Sequence, residues 1–230
     1  MNRIAKILAA LAMSAATATA GIAPVMIDKN PAPPPPSDPC AGPISYTNVE
    51  LLYAYTDFDE DAFDNGDGFD IRFEYEAMKS FYVTASVDYD SFDYSPPNFD
   101  GQRIGSASVE TWTLTLGIGG HLELTENIHL AGDAGFVYTD IESDYSIDAT
   151  VPRRGLSDSE TGWFVRPHIR AKWGCLTVHA GGAYSDLGDN DEWTLYGRLY
   201  YQVAAQWDLT AGLSSGEDAD VYSAGVRYRF

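Results

Sequence analysis

Basic residues are the first shortage. Lys and Arg together number 14 against 34 Asp and Glu in 230 residues, a formal charge of −20. Nucleic-acid binding needs a cationic face to displace counterions, so that class is excluded. Cysteine is scarcer still. Two residues, Cys40 and Cys175, are too few for a disulfide-dense scaffold, and neither sits in a zinc-ligand spacing. Long apolar runs are also missing: nothing approaches the roughly 18 successive apolar residues of a spanning helix, so a helical membrane protein is excluded. Aromatics are not in short supply. With 15 Tyr, 10 Phe and 5 Trp, the chain has too many rings for disorder.

Residues 1–20 read as a secretory signal, with Arg3 and Lys6 ahead of the apolar run Ile7 to Ala16 and a small-residue cleavage site at Ala18-Thr19-Ala20. Residues 21–44 form a proline-rich segment, with eight prolines between Gly21 and Pro43. Proline fixes φ and cannot donate to a ladder, so this segment is extended and lies outside any sheet. It reads as a linker, or more sharply as a ligand for a periplasmic partner.

From Ser45 to Phe230 the chain alternates apolar and polar residues in ten stretches, eight being the fallback count. Side chains alternate across a strand, so each stretch has one oily wall. Examples are Val49, Leu51, Tyr53 and Tyr55; Phe81, Val83, Ala85, Val87 and Tyr89; and Trp163, Val165, Pro167, Ile169, Ala171 and Trp173. Each main stretch is close to the 9–11 residues of a tilted membrane-crossing strand, the ninth, Leu209 to Leu213, being short. Rings concentrate near the strand ends (Tyr53, Trp112, Tyr138, Trp163, Tyr184, Trp193 at one end; Phe81, Trp173, Trp207, Phe230 at the other), with aliphatics and Gly between. Two interfacial girdles around a lipid belt look like this. A soluble barrel with its faces reversed has no lumen room for so many rings.

The connections fall into two sets. Ala77-Met78-Lys79, Glu123-Leu124-Thr125-Glu126, Trp173-Gly174-Cys175 and Gln206-Trp207-Asp208 are tight. Asp57–Asp67, Ser91–Gly105, Glu142–Glu160, Asp186–Glu192 and Ser215–Asp220 are longer and mostly acidic. The last stretch sets Tyr222, Ala224, Val226, Tyr228 and Phe230 on one face and Arg227 and Arg229 on the other. An amphipathic closing strand ending on Phe, together with this loop asymmetry, resembles the small bacterial outer-membrane β-barrel family of the OmpA/OmpX membrane-domain type. The resemblance implies an all-β, antiparallel up-and-down transmembrane barrel with porin-like architecture and both termini in the periplasm. It also implies that Tyr222, Val226, Tyr228 and Phe230 are read as an insertion signal by the barrel-insertion machinery.

The polar wall carries Glu50, Asp70, Glu74, Glu76, Asp88, Asp90 and Asp133 against Arg72, Arg166, Arg170, Lys172, Arg198, Arg227 and Arg229. The acids crowd the first three stretches, Asp133 excepted, and the bases the sixth, eighth and tenth, so closure brings them face to face. Isolated charges in a narrow lumen are costly, so they are expected to pair, with Glu50 as the candidate partner of Arg227. A structural salt-bridge plug and a narrow polar pore both follow from such a wall.

Catalysis in such barrels needs a His near Ser or Asp toward the outer rim. The topology puts His121 and His129 at the periplasmic end and His168 and His179 no higher than mid-lumen, so a non-enzymatic barrel is expected, with no cofactor and no catalytic or metal site. Gly117-Ile118-Gly119-Gly120 lies inside a strand with no helix after it, which is barrel packing and not a nucleotide loop. Asp57–Asp70 lacks the Gly and Glu of a calcium loop. Its carboxylates offer weak divalent-cation sites that bridge to lipopolysaccharide phosphates, while Arg153-Arg154 marks a basic loop tip. Cys40 precedes the first stretch and Cys175 sits in the tight connection between the sixth and seventh stretches, both at the periplasmic end. In an oxidising compartment they are expected to pair, which requires the chain before Ser45 to cross the barrel mouth as a lid. Function is expected in envelope integrity or surface interaction through the acidic loops, or as a narrow passive channel for small solutes.

Overall fold

A computed structural model describes residues 40, 42–59, 63–94, 106–146, 154–188 and 190–230. The chain divides into Met1–Ser37 and Asp38–Phe230. The signal segment and all of the proline-rich segment before Cys40 lie outside the described residues, as do Arg153 and the stretch 95–105. The described residues form ten strands: β1 (Asn48–Phe58), β2 (Gly66–Met78), β3 (Phe81–Tyr94), β4 (Ser106–Thr125), β5 (Ile128–Ser146), β6 (Arg154–Trp173), β7 (Leu176–Leu187), β8 (Asn190–Gln202), β9 (Trp207–Ser215) and β10 (Ala219–Arg229). Every neighbouring pair is antiparallel, and β1 pairs with β10 to close the barrel.

Alternation decides which way each side chain points. On β1, Leu51 and Tyr53 face out and are exposed, while Glu50, Leu52, Ala54 and Thr56 face in and are buried. The outward belt of Leu51, Ile71, Leu116, Ile118, Phe136, Leu195 and Leu209 is apolar and exposed, Phe136 to 77%. A closed barrel that shows water such a wall would be insoluble, so the belt faces lipid. Rings bound it on both sides. Phe69, Tyr89 and Trp112 cluster at one rim, as do Trp163, Tyr184 and Trp193. Trp207, Tyr228 and Phe230 cluster at the other. From Trp163 to Trp173 along tilted β6 the rise is roughly 25 Å, the height of a lipid-facing band.

The four connections read as tight from the sequence all lie at the end that holds both Asn48 and Arg229, here termed the turn end. They sit slightly away from where the sequence placed them: Lys79–Ser80, Glu126–Asn127, Gly174–Cys175 and 203–206. The fourth shift moves Asp208 out of the turn and onto the inner wall of β9. β8 accordingly stops at Gln202 and not near Ala205.

The opposite, loop end corrects the sequence reading more strongly. Asp186–Glu192 is no long loop: β7 and β8 pair up to Leu187↔Asn190. Ser215–Asp220 shortens to a connection at 216–218, and Asp57–Asp67 to one at 59–65. The start of Ser91–Gly105 and most of Glu142–Glu160 are strand, since β3 runs to Tyr94, β5 to Ser146 and β6 starts at Arg154. Acidic residues weaken the oily alternation that marks a strand in lipid, but a ladder in water needs no oily face. β4, β5 and β6, at 20, 19 and 20 residues, therefore rise past the ring girdle with β3 as a projecting four-stranded sheet. Pro167 stands in the middle of β6. Its missing donor falls on the β7 side, where the ladder skips from Val165↔Tyr184 to His168↔Gly181.

Candidate functional site

The site is the lumen, and it is built from the turn end upward. Cys40 is joined by a disulfide to Cys175, in the turn between β6 and β7, with Cα atoms 4.6 Å apart. In the strand order that turn lies across the barrel from β1. The chain from Cys40 to Thr47 therefore spans the mouth. It is held near its start by Lys172, whose Nζ donates to the Gly42 carbonyl at 3.0 Å.

This crossing segment drops two side chains inward. Ile44 and Tyr46 pack with Tyr82 and Ala131 as a small apolar cluster. The Tyr46 ring, 1% exposed, stacks on His121 at 4.1 Å between centroids and lies parallel to His129 at 5.9 Å. Its hydroxyl is 3.3 Å from His129 Nδ1. On its lumen side the Arg170 guanidinium sits 4.2 Å above the ring, a desolvated cation–π contact. Burial pushes the Tyr46 hydroxyl up from its ordinary 10.0 to about 12, against the opposing pull of Arg170. Space for this stack comes from Gly119: a Cβ there would lie 2.3 Å from the Tyr82 ring.

Above the plug lie the charges. Arg170 donates two bonds to Glu74, at 3.0 and 2.7 Å, across the lumen from β6 to β2. Asn48 supplies a third bond to Glu74 at 3.0 Å. Arg198 on β8 reaches Glu50 on β1 at 3.3 Å and Asp70 on β2 at 3.9 Å. These are the cross-lumen contacts that the separation of acids and bases along the chain required. The others are lateral: Arg72 to Asp70 beside it and to Asp88 at 3.7 Å, and Arg166 to Asp133 at 2.6 Å. Glu76 lies not against an arginine but 3.4 Å from His121.

One expected pair is wrong. Glu50 and Arg227 are register partners on β1 and β10, yet Arg227 turns to Asp208 at 2.6 Å, and Arg229 reaches the same carboxylate at 3.1 Å. Asp208 is 2% exposed and was hidden from the sequence reading by the misplaced turn. The face of Arg227 also rests on Tyr200, 3.6 Å from its centroid. His168 accepts a bond from Arg170 Nε at 3.0 Å, and His179 packs on Tyr200, so all four histidines lie in the turn-end half among aromatic and cationic groups. Between plug and loop end the lumen holds two cavities of about 200 and 160 Å³. Arg72, Tyr196 and Arg198 line both and divide them. Among the described residues no group of three or more His, Cys, Asp or Glu is placed to hold a metal ion.

Fold and lumen together define a small transmembrane β-barrel of the outer-membrane type. The sequence matches no protein-family model, and no curated protein matches it. Solved structures do. The translocator domain of autotransporter NalP from Neisseria meningitidis aligns with a TM-score of 0.51 over 80% of this chain and 88% of that one, at 10% identity. OprG, an outer-membrane protein from Pseudomonas aeruginosa, aligns at 0.46 over 80% and 95%, with 11% identity. Ail, the attachment invasion locus protein of Yersinia pestis, aligns at 0.41 over 80% and 96%, with 16% identity. The likeness to the NalP domain is one of fold alone.

Proposed function

We propose that this chain is a non-enzymatic outer-membrane barrel with a closed lumen, which serves envelope integrity or surface interaction through an acidic loop end facing outward. The turn end, with the latched segment, faces the periplasm, where the disulfide is stable. The observation that carries the reading is the seated Tyr46. A segment fixed covalently at Cys175 and packed under Arg170 leaves no open mouth for solutes. Lipid surrounds the belt, and the loop-end carboxylates hold divalent cations weakly against lipopolysaccharide phosphates. The terminal residues Tyr222, Val226, Tyr228 and Phe230 serve the insertion machinery.

A narrow passive channel is the second reading, favoured by the two polar cavities in line above the plug. Proteoliposome swelling separates them. Vesicles carrying the oxidised protein are expected to exclude small sugars and amino acids. Swelling at the rate of open-barrel controls would replace the first reading with the second.

A further inference from the structure

Of the two lumen cavities, the one nearer the loop end, about 160 Å³, has room for several waters or one small organic ion. Strand register shows why it is hollow. Ala54 on β1 lies opposite Gly68 on β2, and Gly68 lies opposite Asp90 on β3. On its other side Ala54 lies opposite Ser223 on β10. All four share the inward wall, so small residues in one row leave the space beside Asp90 unfilled. Gly68 cannot be enlarged, because a Cβ there would lie 1.8 Å from the Tyr89 carbonyl oxygen. One layer higher, the rings of Phe58 and Phe92 meet at 4.7 Å between centroids, with Phe63 beside them.

The charges lining this upper chamber do not balance. Three carboxylates, Asp70, Asp88 and Asp90, face two guanidinium groups, Arg72 and Arg198. Arg72 is held by Asp70 and Asp88, and Arg198 is shared between Asp70 and Glu50 of the layer below. Asp90 accepts from the Thr56 hydroxyl at 3.3 Å, but among the described residues no Lys, Arg or His lies within ion-pair distance of it. A second acceptor is idle. Both arginines reach Asp70 through Oδ2, whereas its Oδ1 is buried with no hydrogen-bond partner among the described residues. The Asp70 side chain is 7% exposed, and it lines this chamber and not the lower one. A buried carboxylate oxygen without a donor is costly, so the chamber is short of a donor and of a positive charge.

We infer that the upper chamber binds a small primary-amine cation entering from the loop end. An ammonium group brings three donors and one positive charge, which suit Asp70 Oδ1, Asp90 and the hydroxyls of Ser214 and Ser223 on the facing wall. Water supplies the donors without the charge. A metal ion fits worse, since among the described residues no three acids converge to hold one. The rings of Phe58 and Phe92 above offer aromatic surface that attracts a cation. Arg72, Tyr196 and Arg198 floor the chamber, so the amine is held and not passed. This adds a ligand site to the closed barrel proposed above.

The test uses the full oxidised chain folded in a non-ionic detergent, titrated with propylamine, tetramethylammonium and propionate and read by saturation-transfer NMR. Propylamine is expected to bind. Tetramethylammonium carries the charge without an N–H and is expected to bind roughly tenfold more weakly, and propionate not at all. Asp90→Asn removes the unpaired charge and is expected to weaken propylamine by about the same factor. It strands no cation, so the variant keeps its fold. Ala54→Leu keeps every acid but fills the chamber, and is expected to abolish binding. Unchanged propylamine affinity in either folded variant would move the amine to the acidic loop end and overturn the inference. So would equal affinity for tetramethylammonium, or a native protein that binds no propylamine. Displacement of propylamine by an equal concentration of sodium ion would also overturn it, by assigning the chamber to a metal ion. Swelling assays on the same preparation judge the closed lumen separately, whatever the amines do.

Discussion

Arg170 does two jobs at one point in the lumen. Its guanidinium is 2% exposed, forks onto Glu74 and covers Tyr46, so the plug and the ion-pair network share it. Removing one partner of a buried pair leaves an uncompensated charge, which costs about 3–5 kcal/mol. Arg170→Ala is therefore expected to lower the urea midpoint of the folded protein in detergent severely, with Glu74 stranded. Arg227→Ala is expected to cost less, because Asp208 keeps Arg229 at 3.1 Å. Equal losses in the two variants would mean that the lumen is hydrated enough to make individual partners irrelevant. Tyr46 gives a pH signature of its own. Its hydroxyl is held neutral up to about 12, whereas a released tyrosine ionises near 10.0. The folded pKa is the higher one, so this contribution is whole below pH 10 and is lost as pH rises through 12. Native protein should lose stability relative to Tyr46→Phe over that window. Parallel stability curves through pH 12 would show that Tyr46 is not seated as described.

At the scale of strands, the lipid-facing parts were legible because the solvent on their outer face is uniform. An oily residue at every second position between Leu51 and Tyr55, or Trp163 and Ile169, has no other explanation in a chain without long apolar runs. The projecting strands were not legible, because in water both faces of β5 and β6 carry Asp, Glu and Ser, as loops do. Asp208 was missed for a related reason: a turn displaced by a few residues changes which wall an acid faces. The Cys40–Cys175 pairing and the crossing of the mouth followed from topology and compartment. Tyr46 as the plug did not, since its partners His121, His129, Tyr82 and Arg170 come from four different strands. Orientation is tested on these elements. Trypsin added to intact cells is expected to cut near Arg153-Arg154, at the start of β6, and to spare Lys79 in the turn between β2 and β3. Cutting at Lys79 with the other site intact would invert the barrel.

For the whole molecule, the charge distribution and the closure point the same way. Inside, the counted acids and bases nearly balance: Asp208 adds one to the seven acids that faced seven bases in the sequence. The surplus of negative charge therefore lies outside the lumen, where it serves solubility of the loop end and attraction of cations. Paired charges and a latched aromatic plug in the interior support the proposed closed lumen. Planar-bilayer recording of the oxidised protein tests that claim most directly. The account predicts a silent membrane at moderate voltage, with current appearing only when the disulfide is reduced and Tyr46 is replaced by Ala. Discrete, reproducible openings from the native oxidised protein would contradict it.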